Sequence, residues 1–306
     1  MTAAHSNRAA LLSMLAGAAL IGTNGLMVRF AQTPPTVSAF YRMLIAGVFL
    51  TLLLRLRGRW QKLPRGVWLL ALLPAVAFAT DLWLWHRSIL LIGPGLSTLL
   101  ANSQVFFMAL AGMLLYRERI GPRFMAGIVL AFLGLWLLLG GEWSKLPAEY
   151  RWGVWLALGT GICYAIYNIS LRNAQQRAAQ DREGRPPVEQ VLAIVSLGTA
   201  VFLGLAVAGE GASFAIPSWW SLGVLLTLAL IGHCLSWVLI SRAMPQLSVA
   251  LIGLLLLVQP IVAFLLDVGL LGRATTPREW AGVAVSLAGI FVAGLKGRTR
   301  LPEQPT

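Results

Sequence analysis

The sequence contains one five-segment hydrophobic unit twice. Pro94-Gly95-Leu96-Ser97 opens a long apolar run in the first half, and Pro245-Gln246-Leu247-Ser248 opens the corresponding run in the second half. A pair of glycines with the same spacing also recurs in each half: Gly127 and Gly134, then Gly282 and Gly289. A repeat with an odd number of membrane crossings places its two copies upside down relative to each other. The sequence therefore predicts two inverted five-helix repeats, residues 1–145 and 146–306, in one integrated unit.

Composition assigns these segments to a membrane. Hydrophobic residues make up 58% of the chain and charged residues 11%, whereas a soluble domain is about half apolar and about a quarter charged. A helix needs about 20 apolar residues to cross the hydrocarbon core. The continuous runs exclude a β-barrel, whose strands alternate. We predict an all-α integral membrane protein with ten transmembrane helices, at residues 9–30, 35–56, 66–90, 95–115, 122–140, 151–173, 188–209, 217–240, 247–270 and 278–296.

The positive charge of the chain has a topological pattern. The formal net charge is +13, but the charges cluster at alternate helix ends, as the positive-inside rule predicts. We therefore expect lipid around the bundle and no nucleic-acid partner. One side carries most of the arginines, among them Arg55, Arg117 and Arg172. This asymmetry predicts a multi-pass protein of a bacterial inner membrane, with both termini cytoplasmic and residues 141–150 outside. The polar stretch 173–187 is then an exposed cytoplasmic connection, partly helical or mobile.

Signatures of enzymes and cofactor sites are lacking in the sequence. There is no HExxH, GxSxG or Walker motif. The two cysteines, Cys163 and Cys234, each lie inside an apolar segment and lack the spacing of metal ligands. We therefore expect no catalytic residue, no metal and no cofactor.

Two opposite charges are predicted at a shared depth inside the bilayer. Arg42 lies about seven residues from the outer end of the second helix, and Asp81 lies a similar distance below the outer end of the third. Charged side chains within membrane helices are costly and usually face a partner or an aqueous cavity. The pattern predicts a direct or water-bridged contact between Arg42 and Asp81. Its role is either a structural clamp or a gate and substrate contact.

Further polar groups lie away from the predicted membrane interfaces. Asn24 stands in an apolar first helix, where its amide suits either a ligand or the binding of a neighbouring helix. In the sixth helix, Tyr164 and Asn168 share a face, with Tyr167 beside them. Aromatic rings with polar tips suit a cavity for amphipathic molecules. We predict that all four contribute to substrate binding.

Helices three, eight and nine supply the remaining candidates. Trp85 shares a stripe with Asp81, and His233 and Trp237 are one turn apart in helix eight. The histidine is either a structural residue or a proton carrier. Tryptophans near span ends, such as Trp152, are assigned to the membrane interface instead. The set of predicted substrate-binding residues is Asn24, Asp81, Trp85, Tyr164, Tyr167, Asn168, His233, Trp237 and Gln259, and Arg42, Asp81 and Pro260 are predicted to be structural or gating residues.

Gln259-Pro260 is expected to interrupt the ninth helix near mid-membrane. Proline leaves a carbonyl without its helical partner, and a kink with exposed backbone is a common device of transporters. A fixed bend without substrate contact is the alternative.

The ends of the two repeats resemble the drug/metabolite transporter superfamily, in its EamA-type ten-helix branch. In the first half the resemblance rests on the run Leu114-Leu115-Tyr116-Arg117-Glu118-Arg119 before the glycine-bearing fifth helix. In the second half it rests on Gln259-Pro260 and on the glycines of the last helix, and Asn24 and Arg42 also fit. Gly272-Arg273-Ala274 departs from the pattern, because many relatives carry a second glutamate there. Size and aromatic content look similar to YddG-type exporters of amino acids.

The resemblance implies a secondary transporter that works by alternating access. We expect it to export small amphipathic metabolites, with amino acids, including aromatic ones, as the first candidates. A multidrug or nucleotide-sugar carrier is the alternative within transport. A membrane enzyme or a non-transporting scaffold is the alternative from another class. A nucleotide-sugar site needs buried cations for phosphates, and only Arg42 qualifies.

Overall fold

A computed structural model describes residues 2–63, 65–118, 121–139, 146–180, 186–272 and 274–294. These residues form helices, with no strand among them. The first half contains α1 (Arg8–Phe30), α2 (Pro35–Leu56), α3 (Arg65–Ile92), α4 (Pro94–Tyr116) and α5 (Pro122–Leu139). The second half contains α6 (Ala148–Ala179), α7 (Val188–Gly209), α8 (Trp219–Gln246), α9 (Val249–Leu271) and α10 (Pro277–Gly294).

The all-helical membrane fold predicted from the sequence is confirmed. Within the described residues, 8 helices are long and apolar enough to cross a membrane, and α5 and α10 add an apolar helix of 18 residues to each half. Many large apolar side chains point outward, as expected where lipid replaces water around a bundle. Examples are Leu12, Leu69, Val129 and Leu205.

Proline marks the starts of four helices. Pro35, Pro94, Pro122 and Pro277 are each the first residue of a helix. The ring fixes φ near its helical value, and the missing N–H would have no helical partner at this position. These prolines explain why the sequence located the corresponding boundaries to within a residue or two.

Helices α5 and α10 pack through reciprocal glycine contacts. A Cβ added to Gly289 would lie 2.6 Å from the carbonyl oxygen of Gly127. A Cβ added to Gly134 would likewise collide with the carbonyl oxygen of Gly282. Because Gly127 corresponds to Gly282 and Gly134 to Gly289 in the repeat, each half makes the same contact with the other. Such reciprocity is the signature of a two-fold axis.

The other helix contacts follow the same axis. Helix α2 packs on α7 and α4 packs on α9, so each helix meets its own counterpart. Helix α3 packs on α6, and the equivalent pair is α8 on α1. The two halves therefore interlock along their whole length, and the space at the axis is lined by both.

Helices α4 and α9 are each interrupted at a similar place. Helical segment Pro94–Ala101 ends before Gln104–Tyr116 begins, and Val249–Leu255 ends before Val258–Leu271 begins. The break in α9 agrees with the expectation that Gln259-Pro260 interrupts this helix. It lies one turn before Pro260, whose ring crowds the carbonyl of Leu256 and which has no N–H to bond it. The break in α4 contains no proline, so other contacts set it.

A carboxylate fastens the start of α9 to the end of α4. Glu118 accepts hydrogen bonds from the backbone N–H groups of Val249, at 2.8 Å, and Ala250, at 3.2 Å. The first N–H groups of a helix have no helical partner, and a negative charge also suits the helix dipole there. Glu118 thus joins the two repeats at the face where α4 ends, which we call the basic face because Arg55, Arg117 and Arg172 also lie there.

A second carboxylate ties three helices together at the opposite face. Glu210, just beyond α7, accepts hydrogen bonds from Thr36 of α2, at 2.8 Å, and from Trp83 Nε1 of α3, at 2.7 Å. The guanidinium of Arg87 lies 2.6 Å from the same carboxylate. Burial raises the pKa of Glu210, but these hydrogen bonds and the arginine charge outweigh it, so the pKa lies below its ordinary value of 4.5.

The connection after α6 is partly helical, as expected, but less exposed than the sequence indicated. We expected residues 173–187 to be exposed, but α6 continues to Ala179, and Ala174, Gln175 and Ala178 are buried. Asn173 accepts a hydrogen bond of 2.6 Å from the hydroxyl of Tyr116 at the end of α4. Residues 181–185 lie outside the described part of the chain.

Candidate functional site

A cavity lies where the two halves meet. It encloses about 360 Å³ of space between the protein atoms, open solvent at its mouth included. Helices α1, α2, α3 and α4 from the first half and α6, α8 and α9 from the second supply its wall. The lining residues are Ile21, Arg42, Phe78, Asp81, Leu82, Trp85, Thr98, Ala101, Asn102, Thr160, Tyr164, Trp237 and Gln259.

Arg42 and Asp81 both face this cavity. The two residues are only 2% and 4% exposed. Arg42 Nε and Asp81 Oδ1 are buried without a hydrogen-bond partner in the described part of the chain. The predicted direct contact is absent there, since no ion pair joins the two side chains. Two buried opposite charges therefore share one cavity without neutralising each other by contact.

Aromatic rings position the guanidinium. Arg42 Cζ lies 5.9 Å from the ring centroids of both Phe78 and Trp85, within the range of a cation–π interaction. Phe78 is fixed in turn by Tyr167, whose ring stacks on it at a centroid distance of 3.9 Å and an angle of 9°. Trp237 packs edge-on against Tyr167 at 4.7 Å. Arg42 thus projects from an apolar wall whose rings hold one another in place.

The broken helices bring polar side chains to the same cavity. Asn102 lies at the break in α4, where its Nδ2 donates to the carbonyl of Thr98 at 2.7 Å. Gln259 follows the break in α9, and its Nε2 donates to Tyr164 Oη at 3.1 Å. Amide and hydroxyl groups offer both donors and acceptors. The wall therefore combines two charges, aromatic surface and neutral hydrogen-bonding groups.

Four of the nine predicted substrate-binding residues lie outside the lining, as does Pro260. Asn24 Nδ2 donates to the carbonyl of Gly232 in α8 at 2.9 Å, in a six-residue π-helical turn, Leu230–Leu235. His233 lies in that turn, 3.0 Å from Ser196 Oγ of α7. Tyr167 stands behind Phe78, and Asn168 lies next to Gln104. Their contacts bind helices to each other, and the cavity itself is faced by Arg42, Asp81, Trp85, Tyr164, Trp237 and Gln259.

Sequence reasoning missed several residues at or beside the cavity. Gln104 accepts a hydrogen bond of 3.1 Å from Asn168 Nδ2. Gln104 precedes Gln259 by the same interval of 155 residues that separates Gly127 from Gly282. That shared register was the available signal, and it marks one glutamine in each broken helix. Phe78, Thr98, Asn102 and Thr160 carried no comparable signal, because small polar or aromatic residues are common in apolar helices.

The fold and the cavity define a class of protein. Two inverted helical repeats that enclose a cavity with polar groups at their junction are the architecture of a membrane transporter. The model of the EamA-like transporter family matches residues 8–140 and 151–295. The chain therefore belongs to the EamA-like transporter family.

Known relatives are transporters as well. The chain is 26% identical over 286 residues to an uncharacterized transporter of Bacillus subtilis, YwfM, with 92% of each chain covered. It is 30% identical over 163 residues to the threonine/homoserine exporter RhtA of Escherichia coli K12, but the match spans only 51% of that protein. A probable amino-acid metabolite efflux pump of Salmonella typhimurium is 24% identical over 204 residues, covering 66% of its length.

A solved crystal structure has the same fold. It superposes with a TM-score of 0.74 and covers 94% of this chain and 96% of its own, at 21% sequence identity. This likeness supports the arrangement of the helices and carries no information about the substrate.

Proposed function

We propose that this transporter exports amino acids, aromatic ones among them, by alternating access through the cavity between the repeats. The observation that carries the proposal is that Arg42 and Asp81, two buried side chains of opposite charge, line one aromatic-walled cavity without a direct ion pair in the described residues. A buried charge without a partner is costly, so a ligand that satisfies both charges gains binding energy. The named activities of RhtA and of the Salmonella pump support the same substrate class.

The composition of the wall disfavours the rival carriers. Phosphates are bound by several cations or by clustered backbone N–H groups, and Arg42 is the only cation among the residues that line the cavity in the described chain. The rings of Phe78, Trp85 and Trp237 offer apolar surface to a side chain. Such contact is non-directional, so we expect broad selection among amino acids.

The arrangement of the repeats supports alternating access. The two-fold axis passes between halves that have the same fold, and rocking of one half against the other can expose a site at the axis to either face. We expect the ligand to bind the inward-facing and outward-facing conformations with similar affinity. A ligand shifts a conformational equilibrium only by the difference between its affinities for the two states, so similar affinities keep both conformations populated. The interrupted helices α4 and α9 reach the axis from both sides and are the elements that we expect to bend.

We propose a bacterial inner-membrane location with the basic face in the cytoplasm. The arginine asymmetry supports this orientation. Glu149, which is exposed at the start of α6, should then lie outside. A cysteine placed at residue 149 in a cysteine-free background should react with a membrane-impermeant maleimide added to intact cells. Labelling only after the cytoplasm is opened would reverse the proposed topology.

The substrate class can be tested with the purified chain alone. Proteoliposomes loaded with unlabelled phenylalanine, leucine or threonine should accumulate the labelled amino acid by counterflow. Empty liposomes and liposomes loaded with a nucleotide sugar serve as controls. Counterflow of the nucleotide sugar without any amino acid would replace this proposal by its rival.

A further inference from the structure

We propose that Arg42 and Asp81 bind the two charged ends of a zwitterion separately, Arg42 the carboxylate and Asp81 the ammonium. The zero net charge of the pair then selects ligands that carry both charges. The inference rests on the proposed amino-acid transport and names how that site recognises its substrate.

Geometry separates the two charges and leaves both available. Arg42 projects from α2 and Asp81 from α3, and no direct ion pair joins them in the described chain. Both face the same cavity, and each has a buried polar atom without a hydrogen-bond partner. A zwitterion placed between them would supply a carboxylate for the guanidinium and an ammonium for the aspartate. The planar guanidinium matches a carboxylate in two parallel hydrogen bonds.

The rest of the wall is uncharged at neutral pH. The other polar lining residues are Thr98, Asn102, Thr160, Tyr164 and Gln259, which carry hydroxyl or amide groups. The nearby histidines do not line the cavity. His86 Nδ1 lies 2.8 Å from Ser38 Oγ, and His233 faces Ser196. Changing one of the two charges therefore changes the net charge of the site by one.

Single substitutions should convert the charge preference of the site. Asp81→Asn leaves Arg42 alone, so the variant should prefer a carboxylate without an amine. Arg42→Gln leaves Asp81 alone, so it should prefer an amine without a carboxylate. A hydrogen bond to a charged group is worth enough to change affinity by about tenfold or more. The double variant Arg42→Gln/Asp81→Asn should lose the preference altogether.

The experiment uses three ligands that share one side chain. Phenylalanine carries both charges, 3-phenylpropionate carries only the negative charge, and 2-phenylethylamine carries only the positive charge. Threonine, 3-hydroxybutyrate and 1-amino-2-propanol form a parallel set for a smaller side chain. Binding to the full chain in detergent is measured by thermal shift and calorimetry. Arg87→Gln is the matched control, because it removes an arginine outside the cavity that pairs with Glu210.

The expected result is a zwitterion preference in the wild type and in Arg87→Gln, and the opposite single-charge preferences in the two single variants. Unchanged zwitterion preference in either single variant would overturn the inference while leaving amino-acid transport intact. If a single variant fails to fold, the double variant decides: wild-type discrimination by the double variant also overturns it. If the wild type neither transports nor binds any amino acid, the proposed function and the inference are refuted together.

Discussion

Gly289→Ala should destabilise the transporter by forcing α5 and α10 apart. A Cβ at this position would lie 2.6 Å from Gly127 O and 2.7 Å from Ala131 N. Both are backbone atoms, which cannot move aside by rotation of a side chain. Overpacking of this kind costs about 1–3 kcal/mol. Because Gly134 makes the equivalent contact, Gly134→Ala should cost a similar amount.

Gly223→Ala is the matched control for this substitution. Gly223 lies in α8, and a Cβ there would have nothing within 4 Å. Replacing a helical glycine by alanine gains about 0.5–1 kcal/mol through the unfolded chain, and this gain is common to both variants. The difference between them therefore isolates the contact between α5 and α10, at about 1–3 kcal/mol.

Thermal unfolding in one detergent, followed by circular dichroism, measures the effect. One kcal/mol corresponds to about 2–4 °C for a chain of roughly this size. Gly223→Ala should melt at or slightly above the wild-type temperature, and Gly289→Ala should melt several degrees below Gly223→Ala. A Gly289→Ala midpoint equal to or above that of Gly223→Ala would refute the close approach of the two helices.

Glu118→Ala should lower the free energy of unfolding by about 0.5–2 kcal/mol, measured by the thermal midpoint, because α9 loses a charged cap. Glu210 has a lowered pKa, so its stabilisation is present above the ordinary value of 4.5 and is lost as pH falls through the lower folded value. Glu210→Gln should therefore melt at temperatures that depend less on pH on the acid side. Trp237→Ala and Tyr164→Ala should each slow amino-acid counterflow more than Trp152→Ala, because Trp237 is 0% and Trp152 61% exposed.

Each of these three predictions would be contradicted by a specific result. A Glu118→Ala midpoint equal to wild type would mean that Ser248 alone caps α9, since its side chain also accepts from Leu251 N. If the melting temperature of Glu210→Gln falls with decreasing pH as steeply as that of the wild type, the Glu210 carboxylate does not contribute to pH-dependent stability. Wild-type counterflow in folded Trp237→Ala and Tyr164→Ala would show that the cavity does not hold the substrate.

Most of the fold could be predicted from the sequence, because apolar length and proline positions determine where the helices begin and end. Apolar length sets the spans, and prolines such as Pro35 and Pro122 set their starts. The break in α4 was harder to predict than the break in α9. The break in α4 falls at Asn102, where a side-chain amide bonds a backbone carbonyl, and such competition with the helix depends on packing. The π-helical turn at His233 likewise depends on a contact from Asn24, 208 residues away in sequence.

The site was predictable in outline and not in detail. Intramembrane charge identified Arg42 and Asp81, and helical spacing placed Tyr164 and Trp237 on inward faces. Periodicity could not decide which inward residues reach the cavity and which stand behind others. Tyr167 is 0% exposed and stacks on Phe78, so it supports the wall without forming it. That distinction depends on the rotation of each helix, which tertiary packing sets.

The cap at Glu118 has a consequence for the resting state of the protein. In a perfect inverted duplicate, the two-fold rotation would interchange the inward-facing and outward-facing conformations, and the two would be equally populated. At the position equivalent to Glu118 the second half carries Arg273, whose charge is opposite. Arginine has no hydrogen-bond acceptor and so cannot cap backbone N–H groups as Glu118 does, and this difference in sequence lifts the degeneracy. Under the alternating access proposed above, we therefore expect unequal populations of the two facings, even without a gradient or a ligand.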